Sequence, residues 1–261
     1  MMRYHMAGSV PKSGNGHDSR HFSESADILG SSLASRPAPR RLASSARPHS
    51  AGMAAPVSER LDTHPRDPQP RALHRAVETL RAGGLLLCPT DAGYALVWGL
   101  DARTAEERVT RLRRLDTRHP FTVLCASLSA ASRLGRIDDR AFRLLRALTP
   151  GPVTFVLPVA PELPKRFKQA RRKALGIRIP DHPVTRRLLE TFEQPLMTSS
   201  VELPDEDTLY SHDAESVADA LLRHVDLMLD AGDCPLGPTS IVDCTGPSIE
   251  ILRQGFVPVE L

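Results

Sequence analysis

The sequence predicts an α/β domain preceded by a long polar segment. Short apolar runs typical of buried strands, such as residues 85–87, alternate along the chain with segments whose apolar residues recur at helical spacing. An apolar content of 41% in 261 residues is enough for a hydrophobic core once the polar N-terminal segment is set aside. Together these observations favour one globular domain with a tail.

The N-terminal segment, residues 1–56, is rich in Ser, Ala, Pro, Gly and Arg and shows almost no aliphatic periodicity. Such a composition buries too little apolar surface to offset the entropy of ordering the chain, so we predict a disordered tail. Its arginines suit a weak polyanion-binding arm or, faintly, a transit peptide. A simpler alternative places the true start at Met53 and makes the tail an annotation extension.

Charge, cysteines and hydropathy narrow the class of protein. The chain carries 34 basic and 31 acidic residues, so any affinity for phosphates or nucleic acid must come from clustered charges. The four cysteines are widely spaced without a Cys-x-x-Cys pair, which predicts reduced packing residues and no metal site. Because no apolar stretch reaches spanning length and a secretory core is absent, we expect a cytoplasmic protein without membrane contact.

Residues 85–96 contain the first candidate site. The apolar run ends in a Pro-Thr-Asp sequence, so a buried strand would deliver the Thr90 hydroxyl, the Asp91 carboxylate and the Tyr94 phenol onto a tight turn. Gly93 lets a ligand approach the main chain, while Thr90 and Asp91 can bond the turn amides themselves. An ordinary strand-to-loop junction is the alternative interpretation.

The remaining elements are predicted in chain order. A helix is expected over residues 70–82, ended by two glycines, and a strand over residues 94–100. Thr104 with Glu107 predicts a capping box at the start of a helix that continues to Arg114. Strands are expected at residues 121–126, 150–157 (after a turn), 175–180, 196–200, 225–229, 239–243 and 249–253, and helices at residues 139–148, 183–192 and 211–223.

Seven short segments stand out together along the chain. They are Pro89-Thr90-Asp91-Ala92-Gly93-Tyr94-Ala95-Leu96, Arg111-Leu112-Arg113, Thr149-Pro150-Gly151-Pro152-Val153-Thr154-Phe155, Gly176-Ile177-Arg178-Ile179-Pro180, Met197-Thr198-Ser199-Ser200, Pro238-Thr239-Ser240-Ile241-Val242-Asp243 and Leu252-Arg253-Gln254-Gly255. In this order and with near-family spacing, they resemble the YrdC/YciO-type family, which includes the threonylcarbamoyl-AMP synthases of tRNA modification, and most resemble its YciO branch. The resemblance covers residues 62–261 and implies a single domain with a twisted mixed parallel and antiparallel sheet, flanked by helices and presenting a positively charged concave face.

The resemblance also implies an activity and its substrates. Threonine, bicarbonate and ATP would yield threonylcarbamoyl-AMP and pyrophosphate for tRNA modification. ATP is then a substrate, Mg2+ is expected because polyphosphates normally arrive with it, and a tRNA-modification complex is the expected downstream partner.

Candidate site residues come from the same resemblance. Arg111 and Arg113 stand where the family places a Lys-x-Arg pair against the carboxylate, carbonate or phosphates of its substrates, and guanidinium groups suit planar oxyanions. Thr90 joins them as a third catalytic candidate. Substrate- and nucleotide-binding candidates are Tyr94, Arg178, Thr198, Ser199, Ser200, Ser240 and Arg253.

Structural alternatives exist for several of these candidates. Arg178 lies inside an apolar alternation, where a charge is unlikely to be left without an anionic partner, so a phosphate and an internal salt bridge are nearly equal expectations. Ser240 on a strand and Arg253 at a strand end are commonly structural residues.

Departures from the synthase pattern keep a second hypothesis open. Arg111 replaces a lysine, the loop over residues 115–119 is longer, Ala92 replaces a hydroxyl residue, and Val201-Glu202 replaces Ala-Asn. A carboxylate beside phosphates repels them unless a metal intervenes. The chain could therefore be a hydrolase or binder of threonylcarbamoyl-AMP or a related nucleotide.

A third hypothesis is a non-catalytic RNA-binding module. Residues 165–173 are the most basic run and predict either a solvated loop or a rim that attracts ATP, tRNA or double-stranded RNA. Because aromatic residues make up 4% of the chain, RNA contacts would be largely to the backbone. Common ATPase and hydrolase motifs are absent: there is no Gly-x-x-x-x-Gly-Lys-Ser/Thr loop, no Ser-His-Asp order with a supporting elbow and no His-Glu-x-x-His.

Overall fold

Ten strands form one mixed sheet in the computed structural model, which describes residues 58–116, 119–161, 174–204 and 210–261. They are β1 (Glu59–Asp62), β2 (Leu85–Thr90), β3 (Gly93–Gly99), β4 (Thr122–Leu124), β5 (Val153–Pro158), β6 (Ala174–Arg178), β7 (Leu196–Ser200), β8 (Leu227–Asp230), β9 (Ser240–Asp243) and β10 (Glu250–Arg253). Their order across the sheet is β1-β8-β2-β3-β7-β4-β6-β5-β9-β10. The predicted mixed sheet is confirmed, whereas the predicted tail and the basic run at residues 165–173 lie outside the described residues.

Six α-helices accompany the sheet in the described part of the chain. They are α1 (Pro70–Arg81), α2 (Arg103–Leu112), α3 (Leu128–Ser132), α4 (Asp139–Leu148), α5 (Pro183–Phe192) and α6 (Ala214–Leu221), the last continued by a 3-10 turn at Leu222–His224. The predicted bounds of α4 and α5 are confirmed to the residue, and α1 ends one residue earlier than predicted. Within the described ranges, no helix combines the length and apolar character needed to cross a membrane.

The predicted capping box at Thr104 is wrong. Helix α2 begins at Arg103, its N-cap residue is Ala102, and no side chain caps its first turn. A turn after β3 sets this start, because the Ala102 amide donates to the Gly99 carbonyl at 3.0 Å and the Arg103 amide donates to the Asp101 carbonyl at 3.0 Å. Thr104 therefore already lies inside the helix, where its hydroxyl cannot act as an N-cap.

Two hydrophobic clusters lie on opposite faces of the sheet. In β2, Leu85 and Leu87 belong to one cluster while Leu86 and Cys88 belong to the other, as the alternation of strand side chains requires. The smaller cluster is covered by α1 and α5, and the larger one includes buried residues of α2, α3, α4 and α6. The central strands are thus buried on both faces, which explains why β2 reads as an unbroken apolar run.

Strand β1 was not predicted, because its four residues are mostly polar. It pairs in parallel with β8, and the pairing is reinforced by side chains. Arg60 donates to Asp230 Oδ2 at 2.8 Å and to both carboxylate oxygens of Glu215 at 2.9 and 2.5 Å. Long-range ion pairs therefore stabilise β1 in the sheet, although its own residues lack an apolar strand pattern.

A buried ion pair connects the turn after β2 to the end of β6. Arg178 Nη2 donates to Asp91 Oδ1, and the two side chains are 8% and 9% exposed. Strands β3, β7 and β4 lie between β2 and β6, so only a strongly curved and twisted sheet brings these two residues into contact. Burial lowers the pKa of Arg178, and the charge of Asp91 opposes that effect.

Loss of this ion pair should destabilise the fold. Arg178→Met leaves Asp91 as a buried, uncompensated carboxylate, so we expect the free energy of unfolding in urea to fall by about 3–5 kcal/mol. Arg187→Met is the matched control, since Arg187 pairs with Glu190 on the exposed side of α5 and should cost less than about 1 kcal/mol. Equal losses in the two variants would contradict a special role for the buried pair.

The four cysteines are free thiols, three of them buried and Cys244 half-buried. Burial raises the pKa of Cys88 and of Cys125 to about 12, and that of Cys244 to about 11. Because a raised pKa leaves little thiolate at pH 8, these groups are expected to react slowly in the folded chain.

Thiol titration with Ellman's reagent at pH 8 checks this expectation. Cys244 should react first in the native protein, because it is partly accessible, and the buried thiols should react rapidly only after unfolding in guanidinium restores their ordinary pKa. Rapid native labelling of Cys88 or Cys125, identified by mass spectrometry of the labelled peptides, would contradict the burial described.

Candidate functional site

The turn after β2 is held by its own side chains. Thr90 Oγ1 donates to the Gly93 carbonyl at 2.6 Å and accepts from the Ala92 amide at 3.1 Å, and Thr90 itself is buried. Gly93 has φ of +83°, and a Cβ there would lie 2.8 Å from the Ser211 carbonyl oxygen. The positive φ and the close Ser211 oxygen both require glycine at position 93. The observed hydrogen bonds of Thr90 therefore fix the conformation of the turn.

Tyr94 anchors the other end of the same turn. Its hydroxyl donates to the Gly232 carbonyl at 2.9 Å, accepts from the Ala231 amide at 3.1 Å and lies 3.3 Å from Asp230 Oδ1. Burial raises the pKa of this phenol well above its usual range, so it is neutral at physiological pH. Its contacts attach the turn to the end of β8.

Arg113 is the centre of a polar cluster at the end of β7. It lies directly after α2, which ends at Leu112. Its guanidinium donates from Nη1 to Ser199 Oγ at 2.7 Å, from Nε to the Glu202 carbonyl at 3.0 Å and from Nη2 to Glu202 Oε2 at 3.2 Å. Ser200 Oγ lies 3.4 Å from the same carboxylate oxygen. Burial lowers the pKa of Arg113, and the Glu202 charge opposes this change.

Arg111 is not part of this cluster in the structure. It is exposed on α2, and its Nε donates to the Glu107 carbonyl of the preceding turn at 3.4 Å. The structure thus separates the two predicted basic residues, with Arg113 facing β7 and Arg111 on the helix surface.

The three predicted hydroxyl residues of β7 have different surroundings. Thr198 Oγ1 donates to the Leu96 carbonyl at 3.1 Å and is buried. Ser199 accepts from Arg113 and is buried as well. Ser200 is exposed at the strand end, so it is the one of the three that presents its hydroxyl to solvent.

Ser240 and Arg253 lie toward the other edge of the sheet. Ser240 is fully buried, where its hydroxyl donates to the Val257 carbonyl at 3.0 Å and accepts from the Gly255 amide at 2.8 Å. Arg253 donates to the carbonyl and the hydroxyl of Thr239 at 3.0 and 3.1 Å. These contacts hold the C-terminal segment on β9, which β4, β6 and β5 separate from β7.

A buried histidine, His182, lies close enough to the Asp91–Arg178 pair to sense the charge of Asp91. His182, the residue before α5, is 7% exposed, and burial lowers its pKa although the charge of Asp91 opposes that effect. Asp91 Oδ2, Arg178 Nε and His182 Nδ1 have no hydrogen-bond partner among the described residues. Arg178 therefore takes the internal salt bridge that was one of its two predicted alternatives.

The sequence analysis placed Asp91 in the turn of the first candidate site without its ion-pair partner, and it missed His182. The expectation that Arg178 needs an anionic partner was the signal that could have led to the pair. His182 carried no signal, since a lone histidine before a helix is common. Among the described residues, no three His, Cys, Asp or Glu side chains are grouped so that they could hold a metal ion.

Known proteins show the same sequence pattern. The family model Sua5_yciO_yrdC, described as "Telomere recombination", matches residues 78–255. The YciO protein of Escherichia coli (strain K12) is 38% identical over 204 residues, which are 78% of this chain and 98% of YciO. The threonylcarbamoyl-AMP synthase of Homo sapiens is 33% identical over 193 residues, covering 70% of this chain and 67% of the synthase.

Solved structures show the same fold. The crystal structure of E. coli YciO superposes with a TM-score of 0.70 at 37% identity, covering 76% of this chain and 96% of YciO. P. abyssi Sua5 complexed with L-threonine superposes with a TM-score of 0.67 at 23% identity, covering 75% of this chain and 57% of Sua5. The predicted resemblance is therefore confirmed, and the chain belongs to the Sua5/YciO/YrdC family.

Proposed function

We propose that this protein is a threonylcarbamoyl-AMP synthase-like nucleotidyltransferase acting in tRNA modification. The observation that carries the proposal is the largely buried Arg113, which Ser199 holds beside the exposed Ser200 at the end of β7. A guanidinium fixed at a solvent-facing strand end suits recognition of a carboxylate or phosphate. The 33% identity to the human threonylcarbamoyl-AMP synthase supports the choice of reaction.

In the proposed reaction, the threonine amine and bicarbonate first form a carbamate with loss of water. A carbamate oxygen then bonds to the α-phosphorus of ATP, the bond from that phosphorus to the bridging oxygen of the β-phosphate breaks, and pyrophosphate leaves. No covalent enzyme intermediate is needed. The protein must hold three small reactants in line and neutralise negative charge, which are the contributions of positioning and electrostatic stabilisation.

The proposed roles follow from the contacts of each residue. Arg113 and Ser200 contact substrate oxygens, while Ser199 positions Arg113. Thr90 and Tyr94 keep the turn after β2 in shape, and Arg111 adds positive charge on the exposed side of α2. Magnesium is assigned to the polyphosphate as its counter-ion, and no protein ligand is proposed for it. Transfer to tRNA through a downstream modification complex belongs to the same proposal.

A second candidate, hydrolysis of the adenylate, is favoured by Glu202. Its carboxylate lies 3.2 Å from Arg113 Nη2 and its side chain is 78% exposed. In this reaction a water oxygen bonds to the phosphorus of threonylcarbamoyl-AMP, the threonylcarbamate leaves, and Glu202 accepts the water proton. The products are AMP and a carbamate that decomposes to threonine and bicarbonate.

The first experiment incubates the purified protein with ATP, magnesium, bicarbonate and labelled threonine, and separates the products beside a threonylcarbamoyl-AMP standard. We expect the adenylate together with an equal amount of pyrophosphate. If folded protein forms none but releases AMP from the standard, the synthase proposal is wrong and hydrolysis is favoured. Failure of both reactions would contradict both candidates.

Arg113→Ala tests the residue on which the proposal rests. We expect turnover to fall about 100-fold or more, because a fixed charge on the transition state is removed, with little change in thermal stability. Arg187→Ala, which removes an exposed arginine of α5, is the control and should retain full turnover. An Arg113→Ala variant as active as the control would exclude the assigned role.

A further inference from the structure

The Arg113 guanidinium already has an anionic partner within its own chain. Glu202 Oε2 accepts from Arg113 Nη2 at 3.2 Å and lies 3.4 Å from Ser200 Oγ. These are the two groups that the proposed function assigns to substrate oxygens. In the structure, a side-chain carboxylate therefore stands where a substrate oxyanion would bind.

The two partners differ in how firmly they are held. The Arg113 side chain is 11% exposed and is fixed from two further directions, by Ser199 Oγ and by the main-chain carbonyl of Glu202. The Glu202 side chain is 78% exposed. Because the carbonyl contact does not involve the carboxylate, the carboxylate can swing into solvent while Arg113 and the main chain of residue 202 stay in place.

We propose that Glu202 occupies this oxyanion site until a substrate displaces it, and that it thereby sets the affinity of the site for anions. This inference rests on the proposed function for the identity of the site. A phosphate or carboxylate oxygen binds Arg113 and Ser200 only after the Glu202 carboxylate has moved away, and it then binds beside a displaced negative charge. The residue thus lowers the affinity of every anion that uses Arg113, so only those with enough other contacts bind well.

The energetics allow this exchange. The Glu202 carboxylate is exposed, so solvent screens its charge and pairing costs side-chain entropy, and its displacement from the largely buried Arg113 costs little when another anion takes its place. The remaining repulsion acts over a few ångströms between solvent-exposed charges and is reduced by salt. Both effects lower anion affinity moderately without closing the site.

Binding measurements test the proposal without relying on turnover. Inorganic pyrophosphate without metal and L-threonine are titrated separately by calorimetry into the wild type and Glu202→Gln. We expect Glu202→Gln to bind at least one of them about three- to tenfold more tightly at low salt, because the competing charge is removed. The ligand that gains identifies whether the oxyanion is a phosphate or a carboxylate. Glu202→Ala, which also removes the acceptor oxygen, should gain at least as much.

Glu78→Gln is the matched control. Glu78 is 69% exposed and pairs with Arg75 on α1, so its replacement changes the net charge equally but away from β7. Equal gains in the Glu78 and Glu202 variants, or no gain in the Glu202 variants, would overturn the proposal. The advantage of Glu202→Gln should also shrink toward onefold at 0.5 M salt, since screening weakens the repulsion that it relieves.

A double-mutant comparison shows whether Glu202 acts through Arg113. In an Arg113→Gln background, Glu202→Gln should gain less than in the wild type, because no guanidinium is released. An equal gain in anion affinity in the two backgrounds would overturn the proposal that Glu202 occupies the Arg113 site. If the protein makes no adenylate but Glu202→Gln binds an anion more tightly, the proposed function is wrong and this inference stands. If the protein makes the adenylate but Glu202→Gln shows no gain in binding, the proposed function stands and this inference is wrong.

Discussion

The Asp91–Arg178 ion pair joins two parts of the sheet that the strand order keeps apart. A buried pair of this kind adds little net stability over apolar side chains, but any arrangement that separates the two charges leaves them uncompensated at high cost. The pair therefore selects the curvature and twist of the sheet more than it strengthens it. Because Asp91 belongs to the turn after β2, the position of that turn depends on the end of β6.

The turn is also fixed from the opposite side. The Tyr94 amide donates to the Ser211 carbonyl at 2.6 Å, and the Tyr94 hydroxyl reaches the end of β8. A turn held by hydrogen bonds to three distant segments, one through the Arg178 side chain and one through the Ser211 carbonyl, has little freedom to adjust when a ligand approaches. Among the side chains of the candidate site, that of Glu202 is 78% exposed and is not packed against the turn. Anion affinity can therefore change through one side chain while the backbone stays in place.

Local patterns predicted the parts of the fold that local interactions determine. The bounds of α4, α5 and β7 followed from apolar periodicity and from Pro183, which suits a first helical position. The polar strand β1 was not predicted because its pairing depends on β8. Its Arg60 bonds Asp230 of that strand, 170 residues away in the sequence. Thr104 and Glu107 had the spacing of a capping box, but a turn fixed the helix start elsewhere.

The candidate site was predictable in its residue types and less so in its geometry. The sequence around Arg178 is apolar, and this predicted that Arg178 needs an anionic partner. That partner, Asp91, is 87 residues away in the sequence, so only the folded structure identifies it. Arg111 and Arg113 looked equivalent in sequence, and the direction in which α2 ends distinguishes them. Glu202 was noted as a charge out of place, but its contact with Arg113 needed the structure.

The order of the strands has a consequence for synthesis of the chain. Strand β8 lies between β1 and β2, and β9 pairs with β5, so late segments complete pairings that early segments begin. Pairing of distant segments is slow, because loops must close before contacts form. On the ribosome, β1 and β2 emerge long before the strand that separates them in the sheet. Until residues 227–230 leave the exit tunnel, the edge of the apolar strand β2 that later pairs with β8 has no partner, so the nascent chain presents an aggregation-prone strand edge during translation.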